Sequence, residues 1–281
     1  MADSAHPVLA VLGRGVVDPT APVARADDPG LTRGDGCFEG CRLLDGVVDN
    51  LDAHLSRMAR SCAALGIAFD AGAWRPLIDE AVTAWARPGE AAVKLLITRG
   101  AADDRSAGFV MISALSREYA RLRRDGLRVV TLPRGLGPDV FTDAPWLLGG
   151  VKTLAYAVNM AAQREAERRG AHDALFVATD GTVLESSTGT AVWAVGRTLH
   201  TTPTGATGIL AGTTQQRLFE RAAAAGWTTA ESLATVDDLH AADVLWLVSS
   251  VRGPIDVVEL DGASRTRNAG VDAEIRRLAG F

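Results

Sequence analysis

GGVKTLAYAVNMAAQREAERRG, residues 149–170, contains Lys152, and of the 29 basic residues in this 281-residue chain only Lys94 and Lys152 are lysine. A guanidinium stays protonated in proteins, whereas a lysine set in an apolar site or beside another cation loses its proton and attacks carbonyls. Only the amine can form a Schiff base. Thr153 to Arg169 reads as a helix stopped by Gly170, so Lys152 stands where an irregular, Gly- and Pro-bearing connection enters a helix. Lys94 instead lies inside a strand. The plain alternative is that Lys152 is a surface lysine, and its neighbours decide between the two.

Upstream, PVLAVLG reads as a strand, and CFEGCRLLDG turns at Asp45-Gly46 into VVDN, a hairpin. A helix follows, capped by Asn50 or Asp52, carrying His54, Leu55, Met58, Cys62 and Leu65 on one face and ended by Gly66. A second helix runs from Trp74 to about Ala86. AAVKLLITRG and GFVMISALS read as paired strands that close an α+β unit near residue 118. The charged REYARLRRDG is the expected seam. That gives a small N-terminal domain over 1–118, a larger C-terminal domain over 119–281, and an interdomain loop at about 134–149. In the second part LRVVTLP is a strand, DALFVATDGTVLESS a hairpin turning at Asp180-Gly181, and TAVWAVG and TLHTTP further strands. TTQQRLFERAAAAG is a helix ended by Gly226, and ADVLWLVSS a strongly apolar strand.

Composition narrows the class. Hydrophobic residues make up 47% of the chain, enough for a substantial core. Three cysteines, Cys37, Cys41 and Cys62, leave an odd count with no CxxC pair, so a reducing, cytoplasmic setting is expected. No basic leader opens the chain and no run of about 18 apolar residues occurs, so neither export nor a membrane partner is expected. Net charge is −5 with arginines interleaved among acids, which argues against nucleic acid.

GILAGTTQQ carries a glycine-bearing loop into a helix whose first turn holds Thr213 and Thr214. Backbone N–H groups, hydroxyls and the positive end of the helix dipole converge there, as they do where a phosphate is held. Threonine at that position is also an ordinary cap. Glu185, in VLESSTG, is either hairpin decoration or a carboxylate able to pair with a protonated ring nitrogen. An amine, an anion cradle and an acid are the protein parts that a pyridoxal phosphate site needs. Zinc bound by Cys37, Cys41, His54 and Cys62 fits no standard ligand spacing, so no metal is expected. A cofactor-free Schiff-base lyase needs Lys152 but not the cradle, and a non-catalytic binding protein needs neither Lys152 nor Glu185.

RGDGCFEG, HLSRM, VKTLAYAVNM, TDGTVLESSTGT, GILAGTTQQ and LVSS occur in the order and at roughly the spacings of the class IV pyridoxal-phosphate enzymes. The chain resembles that family, which includes branched-chain and D-amino-acid aminotransferases and 4-amino-4-deoxychorismate lyase, from about Leu31 to Gly262. The resemblance implies the two-domain α+β and α/β architecture of fold type IV, with a barrel-like core in the larger domain. It implies pyridoxal 5′-phosphate as cofactor, a small-molecule amine as substrate and a homodimer whose active site lies between domains. Lys152 corresponds to the Schiff-base lysine and proton shuttle, and Glu185 to the acid that keeps the pyridine nitrogen protonated. Arg57 corresponds to a bidentate phosphate ligand, completed by Thr213, Thr214 and Ser249 or Ser250, while Tyr156 corresponds to a residue beside the ring. Phe38 and Arg99 match positions that shape the substrate pocket, where an arginine can catch a carboxylate, and Arg252, just past the serines, is another carboxylate candidate.

GDGCF, KTLAYAVNMAA and GTTQQ look most like actinobacterial aminodeoxychorismate lyases, so the expected activity is release of 4-aminobenzoate and pyruvate through Lys152. The alternative is a class IV aminotransferase acting on D-amino acids or branched-chain L-amino acids with a 2-oxo acid acceptor. Two departures bear on the choice. Several bacterial lyases follow GDGCF with a threonine suited to the leaving-group proton, where Glu39 stands here as in aminotransferases. Against the D-amino-acid transaminases, Phe38 replaces a tyrosine and Ala101 a histidine.

Overall fold

The computed structural model describes residues 6–101 and 106–281. Contacts divide it into two units: residues up to Ser116 with Val151–Tyr156, and Arg117–Gly150 with Ala157–Phe281. The sequence division puts Val151–Tyr156 in the second domain; in the structure these residues group with the first unit.

The first unit holds β1 (Val8–Val11), β2 (Gly15–Val17), α1 (Pro29–Arg33), β3 (Gly36–Leu44) and β4 (Val47–Val48). α2 (Leu51–Leu65), α3 (Ala71–Trp85), β5 (Glu90–Thr98) and β6 (Gly108–Ala114) complete it. The strands form one antiparallel sheet in the order β2-β1-β6-β5-β3-β4. The β3–β4 hairpin turns where expected, with Asp45 and Gly46 both at positive φ, 46° and 82°, the geometry that suits the strand twist. Strand alternation sends Cys37, Glu39, Cys41 and Leu43 to the inner face, each with 0% exposure. On α2 the three-to-four spacing buries His54, Leu55, Arg57, Met58, Ser61 and Cys62. Around them Met58, Trp74, Ile78, Leu95, Ile97 and Ile112 form the core, each full burial contributing roughly 1.5–3 kcal/mol. The three cysteines pack there as small hydrophobes; Cys37 Sγ lies 3.4 Å from Cys62 Sγ.

The second unit runs α4 (Arg117–Asp125), β7 (Leu127–Pro133), α5 (Ala157–Arg168), β8 (Asp173–Val177), β9 (Val183–Ser186), β10 (Thr190–Val195) and β11 (Thr198–Thr201). It continues α6 (Thr213–Ala224), β12 (Thr228–Glu231), α7 (Val236–Ala241), β13 (Val244–Ser249), β14 (Gly253–Leu260), β15 (Ala263–Ser264) and α8 (Ala269–Ala279). Its sheet follows β12-β11-β10-β13-β14-β7-β8-β9, with β15 on β14. Both faces are covered. Leu245 and Leu247 of β13 enter one core with Leu127, Trp193 and Ile255, while Trp246 and Val248 enter another with Leu218 of α6 and Ile275 of α8. A strand buried on both faces reads as an unbroken apolar run, and VLWLV is one.

The charged stretch from Arg117 opens the second unit as a helix, α4, with Leu122 buried under it. One local expectation fails for a physical reason. The helix expected from Thr153 begins at Ala157, because Thr153 and Leu154 find partners in β3. Leu154 N donates to Gly36 O at 2.8 Å and Thr153 bridges Cys37, so tertiary pairing overrides local helix preference. Gly36 permits the approach, since a Cβ there would strike Ile97 O and lie 2.7 Å from Leu154 Cδ1. Among the described residues no helix is long and apolar enough to cross a membrane.

Candidate functional site

Lys152 is held by its own backbone. Its N–H donates to Ser61 Oγ at 3.3 Å and its carbonyl accepts from Phe38 N at 3.1 Å, so β3 and α2 fix the chain on either side of it. The half-buried Nζ lies 4.5 Å from the Phe38 ring centroid and 5.7 Å from that of Tyr156. Those rings meet edge to face with centroids 5.2 Å apart. Tyr156 therefore comes beside Lys152 without the helical turn expected to bring it there. Lys94, by contrast, is exposed on β5.

Behind this lysine lies a buried ionic cluster. Arg57 donates from Nε to Glu39 Oε1 and from Nη2 to Glu39 Oε2, both at 2.7 Å, a bidentate pair. His54 Nδ1 is 2.7 Å from the same Oε2. Burial pushes the Glu39 carboxyl up, but the Arg57 and His54 hydrogen bonds outweigh it and hold the group at about 2. Arg57, expected as a phosphate ligand, thus has its fork turned to Glu39. Sequence reading placed His54 only on an apolar helix face and saw Glu39 only as a departure from the lyases. The signal was available: 54 and 57 share a helix face, and alternation places 39 inward with Cys37 and Cys41.

Arg99 pairs with Asp35 through Nε and Nη2, at 2.6 and 3.1 Å. Its guanidinium also donates to the carbonyls of Leu65 and Gly66.

In the second unit, Thr213 and Thr214 begin α6 and are 2% and 4% exposed. Both hydroxyls converge on Ser250 Oγ, at 3.0 and 2.9 Å. Gly212 caps the helix without a side chain, and a Cβ there would come 2.5 Å from Thr190 Oγ1. Glycine therefore admits Thr190 beside this N-terminus, whose dipole favours an anion. Glu185, near the end of β9, accepts from Leu210 N at Oε2, 3.1 Å away, which fixes the carboxylate's direction. Ser249 Oγ lies 3.4 Å from Arg252 N. Arg252 is 6% exposed and its Nη2 donates to Asp173 Oδ2 and Thr188 Oγ1, each at 2.8 Å. Asp173, absent from the sequence reading, also accepts from Ser187 Oγ at 2.6 Å.

The first unit thus offers a half-buried amine among aromatic faces, and the second an oriented carboxylate and a hydroxyl-lined helix start. The family described as amino-transferase class IV matches residues 36–260. The chain belongs to the class IV aminotransferase family. This class IV enzyme is 38% identical over 280 residues to the bifunctional aminodeoxychorismate lyase / D-amino acid transaminase of Mycobacterium tuberculosis, covering 95% of this chain and 97% of that one. It is 26% identical over 254 residues to the aminodeoxychorismate lyase of Bacillus subtilis, covering 86% and 83%. Among solved structures, a hypothetical aminotransferase from M. tuberculosis in its PLP-bound form superimposes with a TM-score of 0.93 at 38% identity, covering 97% and 98%. A fold IV transaminase from Curtobacterium pusillum gives 0.91 at 36% identity, covering 98% and 97%. The expected family, fold type and enzymatic nature are borne out.

Proposed function

We propose that this enzyme, working with pyridoxal 5′-phosphate, is a 4-amino-4-deoxychorismate lyase that releases 4-aminobenzoate and pyruvate. The observation that supports the reading is the placement of Lys152 Nζ against Phe38 and Tyr156 in a chain 38% identical, over almost its whole length, to a protein named both for that activity and for D-amino acid transamination. The residues fit the cofactor. The Thr213–Thr214–Ser250 hydroxyls and the open start of α6 suit its phosphate, Glu185 suits its ring nitrogen, and Lys152 suits its aldehyde.

When bound, the cofactor supplies an aldehyde for amines and a ring that accepts an electron pair from the substrate carbon. Lys152 Nζ takes the proton from that carbon and later returns one. The Phe38 and Tyr156 faces restrain Nζ and steady its ammonium form between transfers. Glu185 keeps a proton on the ring nitrogen, its own direction fixed by Leu210 N. Thr213, Thr214 and Ser250, with Ser249 beside them, hold the anion by neutral donors, so it keeps its charge. Arg57 acts through a guanidinium already matched by Glu39.

Glu39 favours a second reading, transamination of D-amino acids. Its carboxylate is committed to Arg57 and His54, and no threonine stands there to serve a leaving group. The two readings separate in paired assays of the purified enzyme, one with 4-amino-4-deoxychorismate alone and one with L- or D-amino acids plus 2-oxoglutarate or pyruvate. Stoichiometric 4-aminobenzoate without an added keto acid supports the lyase. Keto-acid-dependent turnover of D-amino acids with no 4-aminobenzoate overturns it. A homodimer belongs to the same proposal, supported by the exposed Trp146 (74%) and Val158 (53%).

A further inference from the structure

Ser250 sits in the turn between β13 and β14, which are adjacent antiparallel strands whose register closes at Ser249 and Gly253. A hairpin turn closes on its own backbone bonds, yet this one is gripped from two distant parts of the second unit. Arg123 of α4 lays its fork across two consecutive carbonyls, Nε to Arg252 O at 2.8 Å and Nη2 to Val251 O at 3.0 Å. The Phe281 ring centroid lies 5.2 Å from the Arg123 guanidinium carbon, and the same ring packs where a Cβ on Gly253 would come within 2.6 Å. From the other side, the turn's own Arg252 is tied to the fully buried Asp173. Hydrogen bonds so placed restrain the turn beyond what joining two strands requires. A hydroxyl that serves an anion needs that restraint, because a site loosened by an ångström loses its directed bonds.

We propose that Arg123 is a positioning residue for the anion cup. By holding the consecutive carbonyls of Val251 and Arg252 it keeps Ser250 Oγ in reach of both Thr213 and Thr214. The proposal rests on the reading of that cup as the seat of the cofactor's phosphate. It gives α4, charged and otherwise mostly exposed, a task at the site.

The test measures dissociation constants of the apoenzyme for pyridoxal 5′-phosphate, for inorganic phosphate as competitor, and for pyridoxal, which lacks the phosphate. Variants are Ser250→Ala, Thr214→Val, Arg123→Ala, Arg123→Lys and Arg123→Ala with Ser250→Ala, each checked for an intact thermal transition. Ser250→Ala and Arg123→Ala should each weaken the phosphate-bearing ligands about tenfold, the effect of one hydrogen bond to a charged group. Pyridoxal affinity should stay unchanged. The double variant should be no weaker than Ser250→Ala alone, because the arginine acts through the serine. Arg123→Lys, which keeps the charge and loses the planar fork, should bind like Arg123→Ala and so stands in if the alanine variant fails to fold. If Ser250→Ala weakens binding while both Arg123 variants bind normally, or if the losses add, the positioning role is overturned and the cup reading survives. If Ser250→Ala and Thr214→Val both leave phosphate affinity intact, the cup reading itself fails and the inference falls with it.

Discussion

In the first unit, Glu39, His54 and Arg57 meet with at most 5% exposure each, and the Glu39 carboxylate and Arg57 guanidinium answer each other at 2.7 Å. In the second, Thr213, Thr214 and Ser250 meet as neutral hydroxyls at the start of a helix, with no acid or base among them. The first cluster is complete as it stands: removing Glu39 or Arg57 strands the other's charge in the core. The second is unbalanced, a concentration of donors and a positive dipole end that only an anion complements. An ionic cluster of the first kind fixes the scaffold around Lys152, and a donor cup of the second kind is the proposed seat of the anion.

The contrast predicts effects of different kinds and sizes. Lys152→Ala should lower turnover by about 10²–10⁴-fold at least, the usual contribution of a positioned proton carrier, while Lys94→Arg leaves kcat within twofold; steady-state assays with both variants check this. Glu39→Ala should destabilise the fold by about 3–5 kcal/mol, because Arg57 is left buried without its counter-charge. Urea unfolding measures it, and an unchanged midpoint would move the cluster out of the scaffold role.

Acid should act on the same cluster. Glu39 is held at about 2 against an ordinary 4.5. A depressed carboxylate contributes stability that is fully present above the ordinary value and is lost as pH falls toward the folded one. About 3 kcal/mol should therefore disappear between pH 4.5 and pH 2. Glu39→Gln should flatten that part of the stability curve, and the second-unit cup should contribute nothing to it. The smallest effect belongs to the cup: Thr214→Val should cost about tenfold in affinity for pyridoxal 5′-phosphate while changing the unfolding free energy measured in urea by only about 1 kcal/mol.

The same two regions explain what could be read from the sequence. The cup was visible because its elements are local: a glycine, two threonines and the helix they open lie within one stretch, and the apolar run of β13 announces the strand leading to Ser250. The ionic cluster was only half visible. Arg57 and Glu39 were both noticed, but their pairing joins a strand to a helix and depends on which way each faces. Lys152 was singled out correctly as unusual, yet its local structure was misread, since a helix pattern gave way to pairing with Gly36 and Phe38. β14 escaped notice because Gly253-Pro254 punctuates its start; proline is tolerated there at the first turn of a strand that then pairs on both sides. Arg123 was hidden in a charged stretch that resembles a linker until α4 packs Leu122 inward.

The most direct measurement is to incubate the purified enzyme with pyridoxal 5′-phosphate, reduce with borohydride, digest, and locate the added mass by tandem mass spectrometry. The phosphopyridoxyl mass should appear on the peptide bearing Lys152, with Lys94 unmodified. Label on Lys94 alone, or none on either lysine after visible cofactor binding, would contradict the Lys152 assignment.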